Sequence, residues 1–120
     1  SEDEQENTAR STINFASILS RQGKYDESEE LYRQAIAMCQ TDRQKVIATS
    51  NLAEVLQRQG EHSDSEPMYK DAVKLSTTAF GAHDRMTVGG IQGLSEALRS
   101  QGKEEEAKAL LWEAPSKREA

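Results

Sequence analysis

Three near-identical turns, Ser20-Arg21-Gln22-Gly23, Gln57-Arg58-Gln59-Gly60 and Arg99-Ser100-Gln101-Gly102, recur along this chain of 120 residues. Each closes the same longer unit, opened by Asn14-Phe15-Ala16-Ser17-Ile18-Leu19, Asn51-Leu52-Ala53-Glu54-Val55-Leu56 and Gly93-Leu94-Ser95-Glu96-Ala97-Leu98. Gly23 to Gly60 is 37 residues and Gly60 to Gly102 is 42. Self-similarity at that period marks a stacked array, in which each unit buries a face against the next. Arrays of this kind serve mainly as surfaces that hold other proteins.

The composition fits thin layers rather than one large core. Hydrophobic residues make up 35%, aromatics 5% and charged residues 30%, a balance suited to helices that bury one stripe and wet the other. A net charge of -6 argues against a general nucleic-acid or anionic-membrane surface, which needs basic residues to meet phosphate, while leaving room for a local basic groove. Cys39 has no partner for an internal disulfide. With no secretory leader in view, a reducing, cytoplasmic setting is expected. No apolar run is long enough to cross a bilayer. The acidic residues 1–7 read as a flexible, solvated segment, and the chain as a piece of a longer one.

Apolar residues recur at helical spacing and not at strand spacing. Phe15, Ala16 and Leu19 share a face, as do Leu52, Val55 and Leu56. After each turn a second stripe follows: Ser28, Tyr32, Ala35, Ile36 and Cys39, then Ser65, Tyr69, Ala72, Val73 and Ser76, then Ala107, Leu110, Leu111 and Ala114. The glycines let the chain leave one helix in the left-handed conformation and reverse at once. Asp26 with Glu29, and Ser63 with Glu66, have capping-box spacing, and Pro67 falls near the end of a first turn, where it is tolerated. Six helices are predicted over residues 8–22, 25–39, 43–59, 63–80, 84–101 and 103–114. They divide into units at 8–42, 43–83 and 84–114, with a tail at 115–120.

The pattern Asn-Leu-Ala…Leu…Gln-Gly…Ser…Tyr…Ala resembles the tetratricopeptide repeat. The second unit, with Gln59-Gly60, Glu66-Pro67-Met68-Tyr69-Lys70-Asp71-Ala72-Val73 and Phe80-Gly81-Ala82-His83-Asp84, is similar to the kinesin-light-chain type of longer repeat. The resemblance implies an all-α, right-handed superhelical solenoid of three helix-turn-helix units, six antiparallel helices in all. One departure stands out: Gly89, Gly90 and Gly93 lie within the third unit's first helix, where each costs about 0.8–1 kcal/mol of helix preference relative to Ala. Close helix packing would account for them, and so would a mobile helix that closes on a ligand.

In the resembled family the first helices line a concave groove that grips extended peptides. Carried over, the resemblance implies groove positions at Arg10, Ile13, Asn14, Ser17 and Arg21, at Ile47, Ser50, Asn51, Glu54, Gln57 and Arg58, and at Gln92, Glu96 and Arg99. The peptide-binding set expected from these is Asn14, Ser17, Arg21, Asn51, Glu54, Arg58, Gln92 and Arg99. An Asn amide offers a donor and an acceptor to a peptide unit; the plain alternative is a bond to helix backbone or solvent. Arg21, Arg58 and Arg99 precede the turns and either form a basic rim for an acidic peptide or answer the negative ends of their helices. A clamp for chaperone C-termini is not implied, because Ile13, Ser17, Gly89 and Gly93 stand where most of its Lys/Asn/Arg set belongs.

Trp112 reads as core, or as a cover for the open end of the array. His62, His83, Cys39 and the acidic runs form no catalytic or metal-ligating constellation, so neither enzyme activity nor a cofactor or metal is expected. The expected function is a non-catalytic adaptor or scaffold that binds an extended peptide, acidic side chains being favoured, with no nucleic-acid partner and no membrane insertion. The alternative is a structural fragment of a larger array that self-associates through its open ends. A third, weaker reading is a regulatory appendage of an enzyme elsewhere in the full chain.

Overall fold

The computed structural model describes residues 1–112, the side chains of Glu2, Leu111 and Trp112 excepted. The roles expected of Trp112, Ala114, Pro115 and the tail at 115–120 lie outside the described residues. Six helices follow one another: α1 (Glu2–Arg21), α2 (Tyr25–Met38), α3 (Asp42–Arg58), α4 (His62–Phe80), α5 (Arg85–Ser100) and α6 (Glu104–Trp112). Each packs on its sequence neighbours, while α1 also touches α3 and α3 touches α5. The outcome is an all-α array of helix pairs, flattened to 45 × 29 × 18 Å, with no strand among the described residues.

The three turns are one structure used three times. Gly23, Gly60 and Gly102 take φ of 82°, 82° and 79°, the left-handed region where a Cβ is penalised. In each the residue after the glycine donates its N–H back to a carbonyl five residues earlier: Lys24 to Leu19, Glu61 to Leu56 and Lys103 to Leu98, all at 2.9 Å. This satisfies an orphan carbonyl at the helix end and fixes the reversal.

The tight reversal also moves the next helix start forward. Lys24 and Glu61 occupy the N-cap positions of α2 and α4, with no side-chain cap. Asp26 and Ser63 therefore sit inside the first turn and are not caps, and the expected capping boxes do not form. Their partners work between units instead. Gln59 Nε2 donates to Glu29 Oε1 at 3.1 Å, and Gln101 Nε2 donates to Glu66 Oε1 at 2.8 Å. Gln59 and Gln101 are thus each tied to the N-terminal part of the preceding unit's second helix.

The first helix starts at Glu2, well before residue 8. Ser1 caps it in a box with Glu4. Its first turns are also anchored across the fold: Gln40 Nε2 donates to Gln5 Oε1 at 2.7 Å and Gln44 Nε2 to the Glu6 carbonyl at 3.1 Å. Residues 3–7 of this helix remain mostly exposed, and their contacts with Gln40 and Gln44 are polar.

The core runs along the stack, with Ala16, Tyr32, Ala35, Leu52, Val55 and Leu56 between the first two pairs and Ala53, Tyr69, Leu94, Ala97 and Leu98 between the next. Phe15 departs from the face assigned to it and is 54% exposed, beside Ile18 at 46%. Their equivalents Leu52 and Val55 are each 1% exposed, because α2 covers them; no described helix precedes α1 to do the same. Gly90 and Gly93 have a steric reason. A Cβ on Gly90 would meet Val73 Cγ2 at 2.9 Å, and one on Gly93 would fall among the ring atoms of Tyr69, 2.6 Å from Cζ and 2.8 Å from Cδ1. Gly89 has open space around it.

Candidate functional site

The side chains of the first helices that share one face follow from helical spacing. Residues four apart lie one above the other on a helix, so Ser17 and Arg21 on α1, and Glu54 and Arg58 on α3, form two parallel rows. Between these rows and the start of α2 is a cavity of about 410 Å³ lined by Ser17, Ser20, Arg21, Tyr25, Tyr32, Asn51, Glu54 and Arg58. Five of the eight expected site residues are brought together here: Ser17, Arg21, Asn51, Glu54 and Arg58.

The chemistry of the cavity is polar and cationic on balance. Arg58 Nη2 binds Glu54 Oε2 at 3.3 Å. That hydrogen bond, the carboxylate charge and a further hydrogen bond to the Tyr25 hydroxyl hold the guanidinium firmly protonated, raising its pKa. Among the described residues Arg21 Nη2 donates only to the neutral Ser17 Oγ, at 3.3 Å. Tyr32 forms the floor at 2% exposure. Burial raises its pKa, opposed by hydrogen bonds from the side chains of Ser17 and Asn51. Asn51 is therefore held by the phenol, with part of its amide hydrogen-bonding capacity left over.

The remaining expected residues lie elsewhere. Asn14 is exposed on α1 and Gln92 on α5, and neither lines the cavity. Arg99 precedes its glycine by three residues, whereas Arg21 and Arg58 precede theirs by two. One residue is about 100° of helix, so Arg99 leaves the row and pairs with Glu104 at 3.7 Å. Ile13, one of the wider groove positions, is buried at 7% exposure in the core. Ser20, Tyr25 and Tyr32 are the three cavity residues that sequence reasoning does not reach. Tyr32 carried a signal for packing only, and its hydroxyl turns inward between Ser17 and Asn51.

The next junction repeats the geometry with different charge. Tyr69 occupies the place of Tyr32, at 6% exposure, and its pKa is pushed up to about 12 by burial and then by the charges of Glu54 and Glu96. Cys39 is buried, which raises its thiol pKa and makes it less ready to form a thiolate. Among the described residues no group of three or more His, Cys, Asp and Glu could hold a metal ion, and no helix is long and apolar enough to cross a membrane.

Two sequence profiles described as tetratricopeptide repeat match the chain, one over residues 8–41 and one over residues 45–114. With this much of the chain matched, and helix pairs stacked in register, the chain belongs to the tetratricopeptide repeat family. It is accordingly a helical protein–protein interaction module. No curated protein matched the chain.

Proposed function

We propose that this chain is a non-catalytic adaptor or scaffold module that holds an extended peptide in its concave groove, centred on the cavity between the first two units. The observation that carries this reading is Arg21: it lines an open polar cavity beside a second arginine, yet no carboxylate pairs with it among the described residues. Asn14, Gln92 and Arg99 are flanking positions of the groove in this reading, not its centre. Placement with the kinesin-light-chain type rests on the 42-residue spacing of the second unit and on α4, which has 19 residues against 14 in α2.

A screen of immobilised peptides against the parent, Asn51→Ala, Arg21→Ala and Asn14→Ala tests it. Loss of one hydrogen bond or one exposed ion pair is worth about 0.5–1.5 kcal/mol, so Asn51→Ala and Arg21→Ala should each weaken the hits roughly 3–10-fold. Asn14→Ala should change little. Hits that bind all four proteins equally would sink the groove.

The second reading, self-association through an open end, is favoured by one observation, the exposed Phe15 and Ile18 on α1. Light scattering across concentration separates the two. A monomer is expected; a dimer that disappears in Phe15→Ser with Ile18→Ser would transfer the function to the array's end.

A further inference from the structure

We infer that the groove selects a segment bearing opposite charges at its two ends, an acidic side chain at the first unit and a basic one at the third. The inference rests on the groove reading above. The positions six and two residues before each turn glycine are equivalent in the repeat. They hold Ser17 and Arg21, then Glu54 and Arg58, then Glu96 and Ser100. Along the stack the row is therefore cationic, then neutral, then anionic.

The side-chain partners preserve this gradient. Arg21 has Ser17 beside it where the other units have a glutamate, and its charge is unanswered among the described residues. Glu54 and Arg58 neutralise each other at 3.3 Å. Glu96 lacks the arginine that Ser100 replaces, and among the described residues it accepts a hydrogen bond from the uncharged amide of Gln57, at 3.4 Å. Arg21 and Glu96 are both exposed. The first helices α1, α3 and α5 lie side by side, which puts both charges on successive parts of one wall.

Spacing follows from the stacking. Packed helices lie about 8–10 Å apart, so the first and third rows are separated by roughly 16–20 Å. At about 3.3 Å per residue an extended peptide covers this in five or six residues. A uniformly acidic peptide would set a carboxylate against Glu96, and a uniformly basic one a cation against Arg21. Like charges so placed weaken binding and opposite charges strengthen it, with the effect screened by salt.

Selection from a random nonapeptide library on the full chain tests this, with counter-selection on Asn51→Ala to keep only groove-dependent hits. These hits should carry one acidic and one basic residue about five or six positions apart, and should bind about tenfold more tightly than their all-acidic versions. Glu96→Lys should shift selection to peptides with two acidic residues, and Arg21→Glu to peptides with two basic ones. Both variants alter exposed side chains, and circular dichroism melts verify that each folds. Groove-dependent hits without a charge pair, or an unchanged preference in both folded variants, overturn the inference and leave the groove standing. Absence of any Asn51-dependent hit overturns both.

Discussion

Glu66→Gln is expected to remove on the order of 3 kcal/mol of acid sensitivity from the unfolding free energy between about pH 5 and pH 2. Glu66 is a carboxylate with three separate partners. Its Oε2 meets Lys70 Nζ at 2.8 Å, and its Oε1 meets Gln101 Nε2 at 2.8 Å and Lys103 Nζ at 3.1 Å, with 13% of the side chain exposed. The hydrogen bond from Lys70, then that from Gln101, hold the carboxyl well below its ordinary 4.5, at about 2, against a smaller opposing effect of burial. The folded pKa lies below the unfolded one, so the unfolded chain takes up the proton first. The contribution is whole above about pH 4.5 and is lost as pH falls through about 2. Two of the three partners come from the next unit, so what weakens is the junction between the second and third units. Urea unfolding at a series of pH values reads it: parent and variant should converge in slope above pH 5 and diverge below about pH 4.5. Parallel curves down to pH 2 would mean that the network is not formed in solution.

The same junction shows what the sequence could and could not reveal. Helix number and order were legible because apolar spacing and the Gly turns are local signals, and the turn geometry at Gly23, Gly60 and Gly102 repeats to within a few degrees. Helix starts were less so. Asp26 and Ser63 look like caps by spacing, but the hydrogen bonds that close the reversal begin the helix two residues sooner. Glu29 and Glu66 were therefore free to serve neighbouring units, a use that only three-dimensional stacking reveals. The site was legible in part for a similar reason. Ser17, Arg21, Asn51, Glu54 and Arg58 converge because they repeat at fixed offsets from the glycines. The mismatch of Arg99 was visible in those offsets too, and its loss from the row follows from helix rotation alone. What no offset could show was Tyr32 turning its hydroxyl to Ser17 and Asn51, since a packing aromatic and a cavity-lining one leave the same mark in sequence.

Gly93→Ala and Gly89→Ala should change stability in opposite directions although they lie four residues apart on one helix. Both gain the helix preference of alanine over glycine, about 0.8–1 kcal/mol. At Gly89 nothing lies within 4 Å of the added methyl, so the variant should be more stable by nearly that amount. At Gly93 the methyl would enter the ring of Tyr69, whose atoms Cζ and Cδ1 lie 2.6 and 2.8 Å away. That ring is 6% exposed in the core between the second and third units. Either Tyr69 leaves its seat or α5 moves off α4, and overpacking of this kind costs about 1–3 kcal/mol. At roughly 3–6 °C per kcal/mol for a chain of this size, calorimetric midpoints should separate clearly, one above the parent and one below. The contrast explains why the third unit abandons the asparagine of the first two. Between the first pair of units Tyr32 leaves room for Asn51 and bonds it; between the second pair Tyr69 lies against the backbone of α5, and only glycine fits beneath it. Removing the ring should then release the constraint. In a Tyr69→Ala background the cost of Gly93→Ala should fall to about zero or change sign, a coupling that a double-mutant cycle measures directly. An undiminished cost in that background would place the strain in the helix itself and not in the packing of α5 on α4.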